Sequence, residues 1–198
     1  MNPAPERYVD ASRALLRERV LDAVHDLLAE STWDDVSMAA VAERAGASRQ
    51  TLYNAFGGRR ELAHAYIARE VDRFVAVVTA VVAERAPDAH ACLAAALEIF
   101  LASAASHPLV RAISRSETGD ELLAMLTTRS APALDEVPRR LAALLAVHWP
   151  QLAAYDALVL AETLVRLAIS HAGMPSGSPA KTAAELGRVL GPFIDSLL

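Results

Sequence analysis

The stretch Ser37–Leu62, SMAAVAERAGASRQTLYNAFGGRREL, decides the fold. Met38, Val41, Ala42 and Ala45 recur at the spacing of one helix face, and Ser37 precedes them as an N-cap. Gly46 stands where that helix must end in a left-handed residue. Ser48 is the next N-cap candidate, and Leu52 and Phe56 give the following helix a buried side. Helix, glycine turn and serine-capped helix make the sequence form of a helix-turn-helix. Its second helix would enter a DNA major groove with its N-terminal residues foremost.

The flanks extend this pattern into an all-α chain. Residues 1 to about 11 read as a loose arm, and Leu16, Val20, Ala23, Val24 and Leu27 form one face of a helix over Ser12 to Glu30. Trp33 falls in the break that follows and reads as the plug of a three-helix core. Gly57-Gly58 closes the second motif helix, and a long helix runs from Arg59 to about Arg85, where Pro87 ends it. Further helices are predicted over 88–105, 108–115, 119–130, 134–148, 151–172 and 179–197. Their breaks are marked by Pro108, Gly119, Pro132, Pro150 and the Gly173–Pro179 cluster, with Thr118 and Glu121 forming a capping-box pattern. No segment alternates with period two for long, and no Asn-Gly hairpin signal occurs.

Composition narrows the function. With 198 residues, 54% of them hydrophobic, the chain can bury a sizeable core. The net charge of −5 argues against a chain basic throughout, but residues 44–60 carry Arg44, Arg49, Arg59 and Arg60 and no acid. A local basic excess is the expected footprint on phosphate, although a solvated basic turn looks the same. Cys92 is the only cysteine, so no intrachain disulfide forms and a cytoplasmic location is expected. No uncharged apolar run reaches membrane-spanning length, so no membrane is expected as a partner.

Enzymatic signatures are missing. Gly173-Met-Pro-Ser-Gly177 does not have the G-x-S-x-G spacing and follows a helix instead of a strand. His25, His64, His90, His107, His148 and His171 are scattered with no pair at i,i+4, so neither a metal site nor a cofactor is expected.

Ala45-Gly46-Ala47-Ser48, Leu52-Tyr53, Phe56, Arg59 and Glu61-Leu62 stand in the register of a known motif. Over roughly residues 15–65 the chain resembles the TetR/AcrR family of bacterial repressors. The resemblance implies a helix-turn-helix DNA-binding domain over residues 1–58 and a helical effector-binding and dimerisation domain over 59–198. Ala39 stands where many relatives carry a basic residue, and Gly57-Gly58 replaces a commoner Pro or polar pair.

Phosphate contacts supply affinity and base-edge contacts supply sequence choice. Ser37 and Ser48 cap helices whose N-termini favour an anion, and Ser48 can bond a phosphate. Arg49, Gln50 and Thr51 open the recognition helix: Gln50 suits adenine, Arg49 guanine or phosphate, and the Thr51 methyl thymine. The resemblance adds Tyr53 and Asn54 as phosphate and base-edge positions, and Arg59, at the family's Lys position, as a phosphate contact. For each of these residues the plainer reading is a solvated helix surface.

The resemblance also implies a small apolar effector held among the C-terminal helices, with the Arg59–Arg85 helix as a lever. Phe74, Val78, Leu97, Phe100, Leu101, Leu122, Met125, Leu126 and Leu167 are the lining candidates, although plain core is the commoner reading of each. Ser114–Thr128 is similar to a subgroup tied to alkane-hydroxylase and lipid genes, which implies a long-chain fatty acid or acyl derivative. Arg111, Arg115 and Arg166 could meet its carboxylate, although Arg166 also pairs with Glu162 at i,i+4.

The last two helices carry broad apolar faces, through Tyr155, Leu158, Val159 and Val165 on one and Val189, Leu190, Phe193 and Ile194 on the other. Ala183, Gly187 and Gly191 place small residues four apart for close helix approach. A homodimer through a four-helix interface is the expectation, against a packed intrachain bundle. The reading is thus a ligand-responsive repressor on a double-stranded DNA operator. A helical interaction protein without DNA binding is the alternative, and a small helical enzyme is weaker still.

Overall fold

The computed structural model of the chain describes residues 4–85, 88–115, 122 and 132–198. Among the described residues there are helices and no strand. In order they are α1 (Ala4–Glu30), a 3-10 turn (Trp33–Asp35), α2 (Met38–Ala45), α3 (Arg49–Phe56), α4 (Arg59–Arg85), α5 (Ala89–Ser106), α6 (Pro108–Arg115), α7 (Pro132–His148), α8 (Ala154–Gly173) and α9 (Pro179–Leu197). The capping-box pair Thr118 and Glu121, the helix expected over 119–130 apart from Leu122, and Met125 and Leu126 lie outside the described residues.

The head is built as the local chemistry requires. Ser37 Oγ accepts from Ala40 N at 3.1 Å, and Ser48 Oγ accepts from Thr51 N at 3.0 Å. Each serine thereby satisfies one of the amides that a helix start leaves without an intrahelical partner. Gly46 adopts φ 62° and ψ 38°, the left-handed conformation that turns α2 towards α3. Trp33 is 2% exposed, with Leu28, Val36, Val41, Leu52 and Leu62 buried in the same cluster. The plug role read from the sequence for Trp33 is therefore the observed one.

This first core does not stop at α3. It takes Leu62, Ala63, Tyr66 and Ile67 from α4, Leu109 and Ala112 from α6, and Leu122. Beyond Glu70, the α4 helix packs into the C-terminal bundle against α5 and α7. One rigid helix is thus a wall of both halves, and at 1.5 Å per residue it spans about 40 Å.

In the C-terminal half, α5 lies among α4, α8 and α9, and α7 packs on α8. By length and composition α5 is apolar enough to cross a membrane, but here Cys92, Leu93, Leu97, Leu101 and Ala104 are buried within the helical bundle. Two of the three small residues of the α9 stripe serve this packing, while a Cβ on Gly187 would meet nothing within 4 Å. A Cβ on Gly191 would lie 2.8 Å from the His90 ring of α5, and Ala183 is buried. So Ala183 and Gly191 seat α9 on α5 inside one chain. The outward apolar side chains are instead Val189 and Phe193 on α9, and Tyr155, Leu158 and Val159 on α8.

Two boundaries differ from the sequence reading. The α1 helix begins at Ala4, so the segment expected as a loose arm is largely helical. Pro5 is compatible because a first-turn residue needs no intrahelical N–H bond, and a stretch without an apolar face gives no periodicity to detect. Pro132 starts α7 instead of preceding it, for the same reason, as Pro179 does behind the Ser178 cap.

Two substitutions measure these constraints. Leu52 is 0% exposed, and Leu52→Ala should destabilise the protein by about 2–5 kcal/mol. Gly46→Ala forces a Cβ into a positive-φ residue, at about 1–2 kcal/mol, and to within 3.0 Å of the Arg19 guanidinium. Urea unfolding of both variants checks this; wild-type midpoints would show that the head does not depend on these contacts.

Candidate nucleic-acid interface and internal cavity

The exposed face of α3 carries the residues expected to meet DNA. Arg49, Gln50, Tyr53 and Asn54 are exposed, Tyr53 by 48%, while Leu52 and Phe56 anchor the opposite face. Gln50 Nε2 donates to Asn54 Oδ1 at 2.9 Å. Ser48 Oγ and Thr51 Oγ1 lie 2.8 Å apart. These pairs hold the polar groups of the α3 surface in one arrangement before any partner arrives. Ser37 is exposed at the start of α2.

The basic residues of 44–60 divide into two kinds, which composition does not show. Arg44 forms a two-bond pair with Glu30 at 3.1 and 2.9 Å, tying α2 to the end of α1. Arg59 lies with its guanidinium carbon 4.4 Å from the centre of the Trp33 ring. Its Nε donates to Val36 O at 3.0 Å, and a terminal nitrogen donates to Trp33 O. Arg59 therefore clasps the break between α1 and α2 to the start of α4. Arg49 and Arg60 are exposed. Sequence reasoning missed Arg17, exposed on α1 with its guanidinium 5.0 Å from the Phe56 ring centre at the end of α3. Only the tertiary fold brings it there.

Between α4, α5, α7 and α8 lies a cavity of about 200 Å³. Phe74, Val78, Leu97 and Phe100, all sequence candidates, are in its wall. Leu101, Leu122 and Leu167 are not: Leu122 belongs to the head core, and Leu167 packs on the α5–α9 cluster. The wall includes residues the sequence did not single out, among them Val71, Val137, Leu141 and Leu164. A smaller void of about 80 Å³, reaching Cys92 and Trp149, shares Val78, Leu93, Ala96, Leu141 and Leu164 with it. Arg111 is exposed, and Arg166 is paired with Glu162 at 2.7 Å, the ion-pair alternative. The side chain of Arg115 lies outside the described residues.

Among the described residues, Glu70 is the one ionisable residue in the wall of the larger cavity. It is 1% exposed and lies in a polar cluster joining three elements. Oε1 accepts from Arg69 Nε at 2.9 Å and from Arg73 at 3.2 Å, and Oε2 accepts from His107 Nε2 at 3.1 Å. Burial pushes the Glu70 pKa up, but the hydrogen bonds from His107 and Arg69 and the charges of both arginines outweigh it and hold it at about 2. Nearby, His25 Nδ1 and the Tyr66 hydroxyl are 3.1 Å apart. Burial lowers the pKa of His25 and raises that of Tyr66, so both are neutral there.

His25, Glu70 and His107, scattered in the sequence, thus offer ligand atoms within 4.8 Å of one another. The set does not suit a cation. His107 Nδ1 accepts from Leu109 N at 3.3 Å, which places the ring proton on Nε2, where the bond to Glu70 needs a donor. A metal on Nε2 would force a proton onto Nδ1, against the Leu109 N–H. Glu70 is also already compensated by two guanidinium groups.

Comparison with known proteins agrees with this geometry. Residues 20–66 match the model of bacterial regulatory proteins of the tetR family, and residues 88–192 match that of the bacterial tetracyclin repressor C-terminal domain. The chain is 38% identical over 188 residues to the HTH-type transcriptional regulator AlkX of Mycobacterium tuberculosis, covering 95% of this chain and 89% of that one. Among solved structures it is similar to the TetR family repressor AlkX of Dietzia sp. strain DQ12-45-1b, implicated in biodegradation of n-alkanes. There the TM-score is 0.78 at 32% identity, covering 91% of this chain and 98% of that one. A TetR-family regulator from Streptomyces coelicolor superposes with a TM-score of 0.62 at 26% identity, over 92% of this chain and 99% of that one. With both halves of the chain matched, an exposed recognition helix and a helical C-terminal half, the chain belongs to the TetR family of bacterial transcriptional regulators.

Proposed function

We propose that the protein is a cytoplasmic, homodimeric repressor that binds a palindromic operator and is released by a small apolar effector. Residues 1–58 are the DNA-reading unit and 59–198 the effector and dimer unit. The observation that carries this reading is the pairing of a pre-ordered polar α3 surface with an apolar cavity, both built on elements packed against α4.

On the operator, Gln50 and Asn54 read base edges, and Thr51 meets a thymine methyl. Ser37, Ser48, Arg49 and Tyr53 hold the phosphates, and exposed Arg17 and Arg60 extend the same basic surface. Arg59 supports phosphate binding chiefly by clasping the head. The effector is an aliphatic chain compound, a fatty acid or acyl derivative, in keeping with the alkane-related role of the Dietzia relative. Its chain fills the space lined by Phe74, Val78, Leu97 and Phe100. The ionised Glu70 keeps a free carboxylate away from that end of the wall, so the polar end stays outside the apolar lining.

The partner surface is the outward face of α8 and α9. Tyr155 is 77% exposed and Val189 73%, with Leu158, Val159 and Phe193 between the polar positions. Such a face stays in water only at a cost, and a second copy with the same face covers it symmetrically.

Four measurements test this reading. A gel shift on the DNA upstream of its own gene should show specific binding that dodecanoate releases; no specific binding there or in a random-sequence selection would favour an interaction protein. Gln50→Ala should relax preference at one base position by about 1–3 kcal/mol. Arg59→Ala should weaken binding to all sequences alike and lower the melting temperature together; a change in base preference alone would contradict the clasp. Phe193→Glu should shift the particle from dimer to monomer in analytical ultracentrifugation; an intact dimer would place the interface elsewhere.

A further inference from the structure

We infer that Glu70 is the positioning residue that couples the cavity to the head, by holding the start of α6 and the middle of α1 to one carboxylate. This rests on the effector reading above, and it assigns the response to particular atoms.

The path is continuous in the structure. Glu70 is in the cavity wall. On one side its Oε2 accepts from His107 Nε2, while His107 Nδ1 accepts from Leu109 N and so caps the first turn of α6. On the other side Oε1 accepts from Arg69, whose side chain is only 9% exposed. Arg69 in turn reaches α1, donating to Leu21 O at 3.0 Å and to Asp22 at 2.7 Å. The cavity touches this path at a second point. The Phe74 ring centre lies 5.0 Å from that of His107 and 5.1 Å from that of Phe100, and both phenylalanines line the cavity.

A chain that fills the cavity presses on Phe74 and Phe100, and through the Phe74 ring on His107. If His107 leaves Glu70, the carboxylate loses one of its compensating donors inside a buried site. Its remaining bonds to Arg69 and Arg73 must then rearrange. Arg69, with Arg73 beside it on Asp22, is a polar tie between α4 and the middle of α1, so the strain is delivered to the head. A buried, hydrogen-bonded charge suits this task because its partners cannot be exchanged for water at low cost. A purely apolar contact at this position would slide without that penalty.

The test uses the full-length protein and two variants, Glu70→Gln and His107→Asn. Glu70→Gln keeps the shape but removes the charge. In His107→Asn an asparagine can still cap α6 but is too short to reach Glu70. Amide hydrogen exchange should rise about tenfold in Glu70→Gln both at residues 22–26 of α1 and at 109–112 of α6, with the amide of Leu52 unchanged. A rise on only one side, or one that includes Leu52, would overturn the coupling. In the second arm, dodecanoate binding is measured by titration calorimetry, and operator release is compared at equal dodecanoate occupancy. Release by both variants should fall about tenfold relative to wild type. Variants that release as wild type does would overturn the inference. If dodecanoate does not release the wild-type protein, the effector reading fails for that class of ligand, and the exchange comparison still decides whether Glu70 couples α1 to α6.

Discussion

The structure depends on α4 being one uninterrupted helix buried at both ends in different company. Its first turns carry Leu62, Ala63, Tyr66 and Ile67 into the head core, and its later turns carry Phe74, Val75 and Val78 into the wall of the cavity. A helix cannot bend freely between these halves without losing backbone hydrogen bonds. A shift of the α4 part of the cavity wall therefore carries into the head. The two cores are joined by geometry, and the polar cluster at Glu70 sits where they meet.

That cluster shows how a buried charge is kept. An unpaired carboxylate at 1% exposure would take up a proton; here two guanidiniums and an imidazole N–H keep it ionised. The same pattern recurs at the entry to α4, where Arg59 gives its donors to the carbonyls of Trp33 and Val36 and its face to the indole ring. In both places an arginine satisfies backbone oxygens that a loop or helix segment leaves facing inwards. The planar guanidinium does this well because it presents donors at its edge and a weakly hydrated face to an aromatic ring. Much of the basic character near the recognition helix is thereby structural.

The outward faces of α8 and α9 follow from the packing of α9 on α5. Gly191 lets the helices approach so closely that the His90 ring occupies the space of a side chain, and His90 also bonds Asp195 at 2.6 Å. With Ala183 and Gly191 turned inwards, α9 presents Val189 and Phe193 to the outside. The stripe of small residues and the exposed apolar positions are two sides of one helix with separate tasks.

The sequence by itself determined the helices of the head and their caps. Ser37, Gly46 and Ser48 answer local demands, an acceptor for a helix-start amide or a positive φ, and such demands are met within a few residues. It determined the burial of Leu52 and Phe56 for a similar reason, since 3.6-residue periodicity states which face turns inwards, and that of Trp33 because a large aromatic in a break between helices must be covered. The tertiary structure decided what long-range contacts make of the remaining residues. His107 and Glu70 are 37 positions apart, and Arg69 and Asp22 are 47 apart, so no spacing rule announces them. Arg59 as a clasp instead of a simple phosphate ligand was equally invisible, because its partners lie across the fold. The cavity is the clearest case: Phe74 and Leu101 are both apolar helix residues, and only three-dimensional packing leaves space beside the first and none beside the second. A sequence states which side chains avoid water, whereas a void depends on how well their volumes fill the space between helices.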